Sequence, residues 1–226
     1  VEKVTRFMPG DEPVLLIQGF VHTRGVLNIL ESRLRRDGFP VFSLNLAGFL
    51  NIYNTRPIEM LARGVAEKVE RLQQRHAFER ISIIAHSMGG LVSRYYVQAL
   101  DGHLQVKTLI TLGTPHHGTP TAYAASVPPL SLVTVCGRQM LPGSKFILDL
   151  AERRVPADVK LVSIYSRADL VCPYRYSVLE PREGELVRNF CVDGIGHTSL
   201  IHSERVYRLI SKELERDQDD SLPIAR

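Results

Sequence analysis

No apolar stretch of the chain approaches the ~20 residues that a helix needs to cross a bilayer. The longest runs, such as Val14 to Ile17, are strand-sized. A membrane-spanning helix is therefore excluded. Cysteine is scarce, and Cys136, Cys172 and Cys191 lack CxxC spacing, which argues against a zinc site or a dithiol redox motif. Buried free thiols are the default expectation. Cys172, after one predicted strand, and Cys191, within the next, are the one pair placed to form a disulfide. Aromatics make up only 7% and do not interleave with basic residues, so neither base stacking nor a nucleic-acid partner is expected. The formal charge is a modest +4, with cations mixed among acids as in Glu67-Lys68-Val69-Glu70-Arg71. That pattern reads as a solvated helix face with local ion pairs.

What is present is an ordinary globular composition, 44% apolar and 23% charged, which excludes disordered and fibrous classes. A chain of 226 residues can bury one substantial core, so residues 1–226 are expected to form a single domain. Because the chain starts at Val1 rather than Met, the lack of a signal peptide says nothing about export.

Six short runs rich in β-branched residues alternate with amphipathic segments, the pattern of a mostly parallel sheet with helices on both faces. The predicted strands are Val14 to Gln18, Val41 to Leu46, Ile81 to Ala85, Val106 to Leu112, Lys160 to Tyr165 and Leu186 to Val192. Between the second and third, Ile58, Leu61, Val65, Val69 and Leu72 recur at three and four residues, with Pro57 suited to the first helical turn. Gly25 to Asp37 places Val26, Leu30 and Leu34 on one face and ends before Gly38. The last helix carries Val206, Ile210 and Leu214, and residues 217–226 form a polar tail expected to fray. Residues 114–158 break the alternation as an insertion between the fourth and fifth strands. Its part from Thr119 to Leu141 is apolar, with Arg138 its only formal charge. A lid or acyl-pocket wall and a core-packed helix are both consistent with that composition.

Chemistry concentrates at Ala85-His86-Ser87-Met88-Gly89, between the third strand and a helix start. Small residues flanking a serine allow the tight strand-to-helix turn that projects its Oγ from the sheet edge. Such a pattern alone would occur by chance in roughly one chain of this length in six. Context decides its weight. A serine hydroxyl needs a base within hydrogen-bond reach and a group to orient that base. His197, in Gly194-Ile195-Gly196-His197-Thr198, follows the sixth strand on a loop of small residues. His202 falls in the last predicted helix, His103 in an early loop and His86 on the wrong side of the turn, which suits surface or packing roles. Asp169, just past the fifth strand, precedes the base and fits as the acid. Asp193 is its rival, four residues before His197 at the end of the same strand, while Asp149 and Asp158 lie in or near the insertion.

The chain resembles the α/β-hydrolases of the bacterial lipase and esterase group. Ala85-His86-Ser87-Met88-Gly89-Gly90 is similar to the elbow of small lipases that carry Ala in place of the first glycine. Thr111-Leu112-Gly113-Thr114-Pro115-His116-His117-Gly118 resembles a segment common after the next strand in lipases. The resemblance implies an α/β-hydrolase fold, a triad of Ser87, Asp169 and His197, and no cofactor or metal. It also implies an oxyanion hole built from the backbone N–H groups of Met88 and Phe20. Phe20 is aligned through Gln18-Gly19-Phe20, where the family usually opens with His-Gly, and neighbouring His22 suits a surface position equally well. The expected substrate is a small-molecule or lipid ester with an apolar acyl chain, housed by Tyr123 to Val135 and Leu46 to Tyr53. Transient lipid-interface contact and a secreted or membrane-associated setting follow from the same resemblance. Acyl transfer and thioester hydrolysis are alternatives that use the same groups, and a non-catalytic binding module is a third.

Overall fold

The computed structural model describes residues 12–20, 24–44, 56–125 and 134–219. Six strands, β1 (Val14–Ile17), β2 (Val41–Leu44), β3 (Ile81–His86), β4 (Val106–Leu112), β5 (Lys160–Tyr165) and β6 (Leu186–Cys191), form one sheet in the order β2-β1-β3-β4-β5-β6. Every neighbouring pair runs parallel. Parallel strands covered on both faces read as continuous apolar runs rather than alternating ones. All four residues of β1 are accordingly buried.

Alternation still decides which face each residue serves. Val14 and Leu16 pack with Leu30 and Leu34 of helix α1 (Asn28–Arg36) and with Val206, Ile210 and Leu214 of the C-terminal helix (Glu204–Asp219). Leu15 and Ile17 point the other way. They join Leu61, Val65, Val69 and Leu72 of α2 (Ile58–His76) and Leu91, Val92 and Tyr96 of α3 (Met88–Ala99). The apolar spacing in the sequence is therefore the stripe each helix lays on the sheet.

Several boundaries differ from the sequence reading. The segment expected as a helix from Gly25 opens instead as a 3-10 turn over Arg24–Leu27, and Leu27 offers no side-chain cap to α1. A tighter i to i+3 turn supplies acceptors for N–H groups that a cap would otherwise satisfy. Pro57 is the N-cap of α2 rather than part of its first turn, with φ −51° and ψ 141°, and its carbonyl accepts from the Met60 and Leu61 N–H groups. β1 and β6 each stop one residue earlier than expected and β3 runs one further, through His86. The expected end of the second strand, at Leu46, lies outside the described residues.

The stretch 114–158 carries three short helices, α4 (Ala122–Ala125), α5 (Val135–Gln139) and α6 (Lys145–Glu152). Cys136, Met140, Phe146, Ile147 and Leu150 bury into the cluster beneath α2 and α3. Residues 126–133 and 45–55, which include much of the expected acyl wall, lie outside the described residues, as do His22 and residues 220–226. After α6, the chain passes through β5 and β6 to α7 (Ser199–His202) and α8, the C-terminal helix already described. His202 thus ends α7 instead of lying within the last helix. Among the described residues no helix is long and apolar enough to cross a membrane.

The strand order makes a topological switch between β1 and β3. The chain moves outward in one direction from β1 to β2 and in the other from β3 to β6. Loops leaving the carboxyl ends of β1 and β3 therefore diverge and open a crevice.

Candidate active site

Ser87 sits in that crevice, between the last residue of β3 and the first of α3, at φ 54° and ψ −127°. A non-glycine residue in this region stores on the order of 1–3 kcal/mol and persists only when its surroundings over-determine it. Here they do. The Ser87 N–H donates to Leu112 O at 2.9 Å. Its carbonyl accepts both the Gly90 N–H at 3.0 Å and the Thr114 hydroxyl at 2.9 Å. The strained turn is thus bolted at both ends, and one bolt comes from the Gly113-Thr114 segment that follows β4. As the first residue of α3, Met88 has an N–H with no intrahelical acceptor.

The loop after β1 closes directly against this turn. A Cβ added to Gly19 would fall 2.8 Å from Ser87 Cβ and 3.1 Å from His86 Nδ1. Only glycine allows that approach. Phe20 follows on the same loop, half-buried against the core.

Asp169 and His197 come from the loops after β5 and β6. His197 Nδ1 lies 2.7 Å from Asp169 Oδ2, and both side chains are almost fully buried. Asp169 Oδ1 accepts the backbone N–H groups of Val171 at 2.9 Å and Cys172 at 2.7 Å. The carboxylate is consequently anchored by its own turn while its second oxygen faces the imidazole. With Nδ1–H donating to Asp169, the lone pair of the ring rests on Nε2. Asp193, the rival acid, points elsewhere, its Oδ2 3.4 Å from exposed Arg167. Asp149 lies on α6, and Asp158 pairs with Arg80 at 3.3 Å.

His86 is the residue whose part at this site sequence reasoning missed. Its Nε2 lies 3.2 Å from His197 O, and the two rings are 4.6 Å apart. It therefore ties the loop of His197 to the elbow, a link across 111 positions that no local pattern signals. The bond from Thr114 to the Ser87 carbonyl, across 27 positions, likewise has no local sign in the sequence. No disulfide joins Cys172 to Cys191: the Cys172 Sγ lies 3.2 Å from Ser177 Oγ, and the Cys191 thiol donates to Asp193 Oδ1. Burial pushes the Cys172 thiol up to about 12, so it is not a competing nucleophile beside Asp169.

Gly113 supplies a test of the packing. It holds φ +55°, and a Cβ there would lie 3.0 Å from Asp169 Oδ2 and 3.1 Å from His197 Nδ1. Gly113→Ala is expected to cost about 1–2 kcal/mol from the left-handed backbone alone and to lower Tm by about 2–8 °C. Thermal unfolding measures it, and an unchanged Tm would mean that the turn relaxes freely.

Residues 42–181, more than half of the chain, match the family model described as PGAP1-like alpha/beta domain. The chain belongs to that family. Two bacterial triacylglycerol lipases, from Pseudarthrobacter phenanthrenivorans and Burkholderia plantarii, are each 33% identical to this PGAP1-like domain over 118 residues. That alignment covers 49% of this chain and 35% and 31% of theirs. The chain thus spans about a third of the length of the curated relatives it matches. Among solved structures, a mature lipase of Bacillus licheniformis superposes with a TM-score of 0.75 at 13% identity, covering 93% of this chain and 95% of that one. Aspergillus fumigatus lipase B gives 0.74 at 16% identity, over 92% of this chain and 53% of its own. The PGAP1-like domain therefore has the α/β-hydrolase fold of the lipase and esterase group.

Proposed function

We propose that the chain is a serine hydrolase of carboxylic esters with apolar acyl chains, working through an acyl-enzyme. The observation that carries this reading is the anchored Asp169–His197 pair, 2.7 Å apart, on a loop that His86 ties to the turn bearing Ser87. In this mechanism Ser87 Oγ attacks the ester carbonyl while His197 Nε2 takes its proton. Asp169 holds the tautomer and stabilises the imidazolium. The tetrahedral oxyanion is met by the N–H groups of Met88 and Phe20, preorganised donors whose loss costs ~10²–10³ each in turnover. His197 then protonates the leaving alcohol. Water repeats the cycle on the acyl-enzyme, which yields the free acid and restores Ser87.

Apolar surface beside the acid supports an apolar acyl group. Leu170, 84% exposed, and Val171, 46% exposed, directly follow Asp169. The Thr119 and Thr121 hydroxyls both donate to Val171 O at 2.7 Å, which brings the start of α4 and exposed Tyr123 to the same rim. Contiguous exposed apolar residues favour lipid-like esters and contact with a lipid interface. The names of the matched lipases agree with an ester or lipid substrate.

Activity on p-nitrophenyl esters from acetate to palmitate tests the acyl preference, read beside hydrolysis of emulsified triglyceride. Turnover is expected to rise beyond the short soluble esters, and a sharp optimum at acetate would rule out the apolar-acyl reading. A fluorophosphonate probe should label Ser87 in the folded protein. Labelling without ester turnover would favour acyl transfer or thioester hydrolysis, and no labelling would favour a binding module.

A further inference from the structure

Arg94, in the middle of α3, is 4% exposed, and no carboxylate among the described residues lies within ion-pair distance. Its Nε donates to Gln98 Oε1 at 2.9 Å and its Nη1 to His116 Nδ1 at 3.3 Å. The direction of the second bond follows from the neighbours of His116. Thr111 Oγ1 donates to Val162 O at 3.1 Å and so accepts from His116 Nε2, 3.0 Å away, which leaves Nδ1 as the acceptor. Burial, Arg94 and His117 all hold His116 well below its ordinary range, so it stays neutral and cancels none of the arginine's charge. Among the described residues the remaining amino group of Arg94, Nη2, has no acceptor. Burial, helped by the neighbouring charge of Arg182 and only partly offset by Glu185, depresses the guanidinium to about 10. A buried cation with no carboxylate in contact is costly and is normally paired.

The guanidinium lines a cavity of about 260 Å³ between α3, the end of α6 and the segment entering β6. Its apolar floor includes Val155, Leu161, Leu179 and Val187, and the exposed Arg153 lies at its edge. Two acids, Glu180 and Glu185, also line the cavity, but Glu185 is already engaged: it accepts the backbone N–H groups of Val155 and Arg182, each at 3.0 Å, and pairs with Arg154 at 4.0 Å. Arg182, in turn, spends its guanidinium on the carbonyls of Ala151 and Glu152 at the end of α6. Arg94 is therefore the deep cation of this cavity with a donor to spare.

We propose that this cavity is a binding site for a short aliphatic monocarboxylate, its carboxylate on Arg94 and its chain on the apolar floor. A charge-assisted bond from Arg94 would supply the missing counter-ion. The floor favours an alkyl chain over an inorganic anion. The volume, below the ~300–1,000 Å³ of drug-sized pockets, limits the chain to a few carbons. Ser87, Asp169 and His197 are not among the residues that line the cavity, and the proposal does not depend on the proposed hydrolysis.

Titration of the full chain, labelled at Val and Leu methyls, with hexanoate tests the assignment by NMR. Saturable shifts are expected at Leu161, Leu179 and Val187. Arg94→Gln should weaken binding about tenfold or more, the loss expected for one hydrogen bond to a charged group. Val187→Phe, which fills the floor and leaves Arg94 intact, should abolish the shifts and answers the question even if Arg94→Gln fails to fold. The proposal is overturned if hexanoate leaves these methyls unmoved, if neutral hexanol moves them equally, or if Val187→Phe binds as well as the unsubstituted chain.

Discussion

Ser87→Ala is expected to lower ester turnover on the order of 10⁶-fold, the scale seen when a serine nucleophile is removed from a protease triad. Binding of ester to the crevice should persist, because the residues around Ser87 are not held by its hydroxyl. The two bonds to its carbonyl and the one from its N–H are all main-chain bonds of residue 87. A companion substitution separates chemistry from strain. Ser87→Gly should be equally inactive yet raise Tm by a few degrees, since glycine adopts φ 54° without the ~1–3 kcal/mol cost borne by serine. Steady-state kinetics and calorimetry on the two variants read both effects. Residual turnover within tenfold of the unsubstituted chain would sink the nucleophile assignment.

Asp169→Asn is expected to depress turnover ~10⁴-fold with the fold intact, as the corresponding change does in a serine protease. The geometry says why so small a change should matter. Asp169 Oδ1 is committed to the N–H groups of Val171 and Cys172 at 2.9 and 2.7 Å, so an asparagine must keep its oxygen there. Its NH₂ then replaces Oδ2, 2.7 Å from His197 Nδ1, and donates where the carboxylate accepted. The imidazole must move its proton to Nε2 and can no longer take one from Ser87. Asp193→Asn is the control. That side chain faces exposed Arg167, and surface changes of this kind fall within about ±0.5 kcal/mol. If Asp193→Asn proved the crippling change instead, the acid assignment would be wrong.

Much of the fold was legible along the chain because its determinants are local. Val106 to Leu112 and Lys160 to Tyr165 coincide with β4 and β5, since runs buried on both faces carry the same signal over their whole length. Ends were less legible. Whether Gln18 or Val192 extends a ladder depends on whether a neighbouring strand reaches it, and the Pro57 boundary depends on which carbonyl starts the helix. The Ser87 turn was readable from its small neighbours, but the contacts that bolt it in place, Thr114 and Gly19, belong to other loops.

By itself the sequence determined the strand and helix alphabet, the faces each element buries and the residue types able to support acyl transfer. Periodicity and small-residue spacing express those within a few positions of one another. Only the tertiary structure set Asp169, rather than Asp193, beside His197, tied His86 to the carbonyl of His197, and enclosed Arg94 with no carboxylate in contact among the described residues. Those outcomes depend on which strand ends the sheet order brings together, across separations of 28 and 111 residues, and local preference carries no information at that range.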